Sequence, residues 1–246
     1  VYFQTSLQAQ CSFTGLNANY CENDGAAALT PTGAGTFSGP GINGNTFDPG
    51  LAGGGIHQID YDESDPTSYT VDQTGVFAPI PSVGTSVILS DDQVSGILPV
   101  GFTFTFFGVN YTNFYISSNG FISFTAGVSS GCCSGGLIPA ADGVDNIIAW
   151  GWNDLYPPGG GTIAYETVGV APNRMLLVTF TNQWHCCSGP ATNSGQIILY
   201  ETTNVIEIHN AEVTSDGSTN TQGIENAAGT IAYATPGRNS TTWTTT

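Results

Sequence analysis

The sequence predicts an all-β protein built of β-sandwich domains, and three observations support that fold class. Thr, Val and aromatic residues recur in short runs, as is typical of strands. Many of the 33 glycines and 13 prolines stand between those runs, where they predict turns. No segment keeps a helical period of about 3.6 residues between capping residues. A chain of 246 residues is long enough for a small domain followed by a larger one.

The first ten residues alternate with the period of a β-strand. Val1, Phe3, Thr5 and Leu7 fall on one face of this strand, and mostly polar residues fall on the other. Because the segment 1–10 precedes the first predicted domain, we expect its partner strand to come from outside its own chain.

Residues 11–63 predict a small domain of the size of an Ig-like module with one disulfide. Cys11 and Cys21, near its start, are the pair expected to form that bond. Residues 35–37 are strand-like and precede a turn-rich segment. The alternation of apolar and polar residues over 56–61 predicts a closing strand.

The segment 64–72 is acidic and contains a proline, which indicates a linker. Residues 73–246 then alternate strand-like runs with turn signals, so they predict a larger sandwich. The predicted strands of this domain cover residues 86–89, 101–107, 111–117, 120–124, 146–152, 161–167, 174–182, 195–200, 204–210, 220–225 and 229–233.

Two neighbouring runs carry information beyond composition. Residues 98–108 read LPVGFTFTFFG, and residues 111–124 read YTNFYISSNGFISF. With later motifs in the same order, they resemble the nidogen-like extracellular domain of secreted bacterial surface proteins. The later motifs lie at residues 149–155, 161–165, 196–200 and 223–226.

The domain before these motifs is similar to a short PKD or Ig-like module of such proteins. The resemblance rests on residues 16–21, 35–42 and 47–53. Together the two resemblances imply adhesion, matrix or cell-surface structure outside the cell, and they imply no catalytic residues.

An even number of cysteines in a lysine-free, glycine-rich chain indicates oxidised pairs in an extracellular compartment. The six are Cys11, Cys21, Cys132, Cys133, Cys186 and Cys187. Two disulfides that link the pair at 132/133 to the pair at 186/187 are favoured over a zinc site with His185, because adjacent strand residues point to opposite faces. Bonds within each adjacent pair are the strained alternative, and we expect no metal at these cysteines.

The charge excludes several partners. The formal net charge is -17, and Arg174 and Arg238 are the only basic residues besides histidine. Nucleic acid and anionic membrane surfaces attract basic patches, so neither is an expected partner. No run of about 18 apolar residues is present, so we expect no insertion into a membrane.

Two acidic groups have the oxygen ligands that calcium prefers. They are Asp60, Asp62, Glu63 and Asp65, and the neighbouring pair Asp91 and Asp92. The default interpretation is a solvated acidic segment, and no other cofactor is expected.

Trp150, Trp152 and Trp184 could form a ligand face, since tryptophans stack on sugars, although core positions are favoured for them. No arrangement of His, Ser or carboxylate residues meets the requirements of a catalytic site, so we expect no enzyme.

Two functions remain from the sequence. The first is a secreted structural subunit that assembles with copies of itself into a filament or matrix, with its N-terminal strand completing a sheet of the neighbouring subunit. The alternative is an adhesin or surface module that binds a glycan or a matrix protein.

Overall fold

The computed structural model describes residues 1–7, 13–31, 35–186 and 189–245. The chain divides into two compact units. The larger unit contains Val1–Gln4 and Tyr69–Thr246, and the smaller one contains Thr5–Ser68. Among the described residues, helical structure is limited to α1 (Pro49–Ala52) and a 3-10 turn at Pro157–Gly159, so the all-β prediction is confirmed.

The described part of the first 72 residues contains eight strands, most of them short. They are β1 (Tyr2–Leu7), β2 (Phe13–Thr14), β3 (Ala27–Ala28), β4 (Thr30–Pro31), β5 (Gly35–Ser38), β6 (Ile42–Asn43), β7 (Thr46–Phe47) and β8 (Asp60–Asp72). The strands of the remaining chain are longer. They are β9 (Thr85–Ser86), β10 (Leu98–Phe106), β11 (Val109–Ser117), β12 (Phe121–Ser123), β13 (Ile147–Trp152), β14 (Thr162–Val168), β15 (Met175–His185), β16 (Gly189–Tyr200), β17 (Ile206–Glu212), β18 (Thr221–Glu225) and β19 (Ala232–Ala234).

The larger unit is a sandwich of two antiparallel sheets. One sheet has the strand order β10-β11-β12-β13-β18-β19. The other runs β1-β17-β16-β15-β14-β9, and β8 is the next strand beyond β1 in that order. The main core lies between the sheets and includes Phe104, Phe114 and Trp150, which are completely buried.

Alternation explains how the inner strands form. In β10, Val100, Phe102, Phe104 and Phe106 are buried, and the residues between them are more exposed. This period of two residues places one face of the strand in the core. On β16, Gly195 lies where the opposite sheet comes closest, because a Cβ at this position would be 2.1 Å from Cε3 of Trp150.

Among the described residues, the smaller unit has four short antiparallel pairings. β2 pairs with β4, β7 pairs with β3 and β6, and β5 pairs with β8. Its core consists of Leu29, Phe37, Phe47 and Tyr61 among the described residues. The rings of Phe37 and Tyr61 lie 4.7 Å apart, so aromatic packing supplies much of the cohesion of this unit.

The segment 64–72, expected as a linker, lies within β8 instead. The expected closing strand at 56–61 begins only at Asp60. β8 pairs with β5 only from Asp60 to Glu63, and it also neighbours β1 in the sheet order. Backbone hydrogen bonds of this kind do not depend on side-chain polarity. Composition therefore underestimates strand formation here. Each strand expected between residues 86 and 233 is present with shifted ends.

Candidate assembly site

β1 forms regular antiparallel pairing with β17 of its own chain. The carbonyl of Ile208 accepts a hydrogen bond from the nitrogen of Val1 at 2.7 Å, and the N–H of Ile208 donates to the carbonyl of Val1 at 2.8 Å. Tyr2 then faces Glu207, and Phe3 faces Ile206. The bonds at Val1 make Tyr2 and Glu207 a non-hydrogen-bonded pair, in which the Cα atoms approach most closely.

The inward side chains of β1 belong to the main core. Phe3 is completely buried, in the same cluster as Ile206 and Ile208, and Val1 packs against that cluster. Burial of one Phe side chain stabilises a fold by about 1.5–3 kcal/mol. The side chains of Thr5 and Leu7, expected on the same face, lie outside the described residues.

The expectation that β1 has no partner within its own chain is therefore wrong. Without β1, strand β17 would expose unpaired backbone groups, and the core would lack the ring of Phe3. Pairing of β1 with β17 supplies both the hydrogen bonds and the apolar side chain.

A buried polar chain lies on β17 next to this pairing. The hydroxyl of Tyr200 donates to Oε2 of Glu207 at 2.5 Å, and Oε1 of Glu207 lies 2.8 Å from Nε2 of His209. The N–H of Ala78 donates to Nδ1 of His209 at 3.4 Å. Burial lowers the pKa of His209, although the Glu207 carboxylate acts in the opposite direction. These contacts link Tyr200 of β16, β17 and the segment at Ala78 beside the edge that receives β1.

The cysteines do not form the expected clamp between the 132/133 pair and the 186/187 pair. Cys132 and Cys133 bond to each other, in a loop where Cys133 has a φ of 81°. Cys186 is also disulfide-bonded. Cys21 carries a free and exposed thiol, and its expected partner Cys11, like Cys187, lies outside the described residues.

The structure nevertheless brings the two cysteine segments to one acidic loop. Ligand atoms of Asp92, Cys132 and Cys133 lie within 4.8 Å of one another, as do those of Asp91, Asp154 and Cys186. Since the cysteines are oxidised, their sulfurs are not the thiolates that bind metals.

The other residues considered as metal ligands from the sequence are His185 and four acidic residues of the segment 60–65. Nδ1 of His185 lies 3.1 Å from Oδ1 of Asn153, and Nε2 lies 3.0 Å from the carbonyl of Thr214. Asp60 lies in β8 with Asp62, Glu63 and Asp65, whose side chains are outside the described residues. Burial, followed by the charges of Asp92, Asp91 and Asp216, raises the pKa of Asp154.

The proposed tryptophan face is not present. Trp150 lies in the main core, and Trp152 lies in a second cluster with Phe121 and Ile138. Trp184 is partly buried and packs against the 3-10 turn, where a Cβ at Gly159 would be 2.7 Å from its ring. Both faces of β13 are covered, so alternation on this strand does not bring any tryptophan to the surface.

Residues 68–246 match the family model described as NIDO related. The chain belongs to the NIDO-related family. The matched span covers more than half of the chain and includes β9 through β19. It confirms the nidogen-like resemblance of the larger domain and indicates an extracellular domain, whereas the PKD or Ig-like identity of the smaller unit stays a prediction. The NIDO-related span begins only at residue 68, so β1 lies outside it.

No curated protein and no solved structure matches the chain. Among the described residues, no helix is long and apolar enough to cross a membrane.

Proposed function

We propose that this NIDO-related protein is a secreted structural subunit that forms filaments when its β1 completes the sheet of a neighbouring copy. One observation carries the proposal. β1 lies outside the NIDO-related span, yet its Phe3 is a fully buried part of the core of that domain. The edge of β17 therefore accepts a strand that lies outside the NIDO-related span.

The same contacts are available between two copies. A neighbour's β1 would meet the same edge of β17, the same register and the same space for Phe3. Such an exchange is head-to-tail, because each copy gives a strand at one site and receives a strand at another. A heterologous contact of this kind extends into an open fibre unless its rotation closes a ring.

The high negative charge opposes association, because every copy carries a net charge of -17. Added salt screens repulsion between exposed charges, with a Debye length of about 10 Å at 0.1 M. Filament formation should therefore increase with ionic strength, unlike assembly driven by contacts between opposite charges.

The test is a cysteine pair across the predicted junction. Tyr2→Cys and Glu207→Cys are combined in a Cys21→Ser background, because the facing pair is close enough for a disulfide and Cys21 is a free thiol. Exchange between copies predicts a ladder of covalent multimers on a non-reducing gel, and reductant should collapse it to one band.

Two controls accompany this experiment. Gln4→Cys with Glu207→Cys moves the thiol two residues along β1, so it should cross-link weakly. The Cys21→Ser parent should give no ladder, which tests the contribution of the other cysteines. Negative-stain microscopy of the wild-type protein shows whether filaments form. Cross-linked monomers alone at every concentration, with single-subunit particles, would contradict the proposal.

Nothing in the described residues favours the alternative of a glycan-binding adhesin through tryptophan stacking. Trp150 and Trp152 are buried in separate clusters, so the aromatic face on which that alternative depended is absent.

A further inference from the structure

A buried carboxylate stands at the end of β18, far from β1. Glu225 is only 1% exposed. Its Oε1 accepts a hydrogen bond of 2.6 Å from the N–H of Ala140, but Oε2 is buried and has no hydrogen-bond partner. An unpaired buried carboxylate oxygen is costly, so some group outside the chain is expected to satisfy it.

A second carboxylate oxygen without a partner lies on the loop that reaches Glu225. Oδ1 of Asp145 is buried and accepts no hydrogen bond. It lies so close to the turn after β18 that a Cβ at Gly229 would be 2.6 Å from it. Asp142, on the same loop as Asp145, is exposed and accepts a hydrogen bond from the N–H of Val144 through Oδ1.

The charges of these three residues are not balanced by the protein. The chain has only two basic residues besides histidine. Arg174 is paired with Glu201, and Arg238 lies over the ring of Trp243 and donates to Gln222. Both arginines are thus committed to other contacts.

The protonation of Glu225 reflects this imbalance. Burial, followed by the charges of Asp145 and Asp142, raises the pKa of Glu225 to about 7, although the N–H of Ala140 favours the ionised form. Near pH 7 the carboxyl group therefore titrates, so a proton and a cation can compete for it.

We propose that Glu225 and Asp145 bind a divalent cation of the calcium type, and that the nearby charge of Asp142 increases its affinity. The two buried oxygens without partners lie on segments that hydrogen bonds hold together. The N–H of Ala140 donates to Glu225, and the N–H of Asn146 donates to the carbonyl of Asn226. Calcium binds oxygen ligands in flexible geometry, and backbone carbonyls and water can complete its shell of six to eight ligands. The cation would join the loop before β13 to the turn between β18 and β19. This proposal is independent of filament assembly.

The direct test is thermal unfolding of the full chain at pH 8, in EDTA and in calcium. Calcium at about 100 times its dissociation constant should raise the melting temperature by roughly 5–10 °C. Isothermal titration should give one site, and terbium luminescence should fall as calcium displaces terbium. Affinity should fall when the pH is lowered from 8 to 6, because a proton then competes for Glu225.

Three variants separate this site from other acidic groups. Glu225→Gln keeps the size of the side chain and should abolish the calcium response. Asp142→Asn, at an exposed position, should weaken affinity several-fold without unfolding the protein. The double variant Asp91→Asn with Asp92→Asn, in the loop beside the cysteines, should leave the response unchanged.

Other outcomes of these experiments would contradict calcium binding. If calcium does not change the melting temperature at pH 8, and Glu225→Gln raises it in EDTA, then a proton shared by the two carboxyl groups satisfies them instead. Should Glu225→Gln fail to fold, unchanged calcium affinity in Asp142→Asn together with an unchanged response to calcium across pH 6 to 8 would overturn the proposal.

Discussion

The two units of this protein build their cores in different ways. Among the described residues, the larger unit has a main cluster of 25 buried side chains between two long-stranded sheets. The smaller unit has a core of four, surrounded mainly by strands of two residues. The main cluster gains stability from many apolar contacts of moderate strength, whereas the smaller core depends on a few aromatic pairs.

This difference predicts which unit loses more of its stability when one core side chain is removed. A core of 25 side chains can lose one ring and keep most of its apolar burial. A core of four loses a quarter of its members with one ring. Local unfolding of the smaller unit should then cost less free energy than unfolding of the whole chain. Fluorescence separates the two units, because all four tryptophans lie in the larger one.

The largest expected effect is that of Phe114→Ala in the larger unit. Phe114 is completely buried and its ring lies 5.6 Å from that of Tyr165. The lost burial and the cavity should lower the free energy of unfolding by about 3–5 kcal/mol. Urea titration followed by tryptophan fluorescence measures the loss. Ile88→Ala, at a side chain that is 92% exposed, should change it by less than about 0.5 kcal/mol.

A second substitution addresses the smaller unit. Phe37→Ala removes the ring that contacts both Phe13 and Tyr61. We expect the free energy of unfolding of the smaller unit to fall by about 3 kcal/mol. Hydrogen exchange should accelerate across β5 and β7, while the midpoint from tryptophan fluorescence stays unchanged. Leu51→Ala, at a side chain that is 72% exposed, is the control. Equal shifts in both probes would show that the units unfold together and would remove the contrast.

The smallest expected effect comes from pH and concerns only the larger unit. Burial lowers the folded-state pKa of His209 below its usual value of about 6.5. The unfolded chain then binds more protons below that value, so His209 contributes stability above about pH 6.5 that is lost on acidification through its folded pKa. His209→Gln should flatten the change in stability between pH 7 and pH 5. If the dependence of stability on pH is the same in this variant, titratable groups other than His209 control it.

Local pattern was sufficient for the strands with one buried face. In β10 the alternation of Val100, Phe102, Phe104 and Phe106 is present in the sequence itself, and the structure buries these four residues. In β8 the acidic residues and Pro66 hid a strand that lies between β5 and β1 in the sheet order, and composition does not reveal these partners.

The candidate sites could not be predicted from short stretches of sequence, because they depend on contacts between distant residues. The register of Phe3 against Ile206 joins residues at opposite ends of the chain. Glu225 and Asp145 lie on segments that are distant in sequence and are joined by the hydrogen bond from Asn146 to Asn226, so neither resembled a binding residue. The tryptophans were ambiguous for another reason, because covered faces on both sides of β13 bury Trp150 and Trp152 alike.

The pairing of Val1 with Ile208 spans 207 residues, which has a consequence for the order of folding. Closing a flexible loop of that length costs on the order of 5 kcal/mol before any constant term. β1 should therefore dock only after the intervening chain has folded and shortened the effective loop. During synthesis β1 leaves the ribosome well before its own β17. Throughout that interval the hydrophobic side chain of Phe3 remains without its partner strand, available to any β17 edge that is already complete.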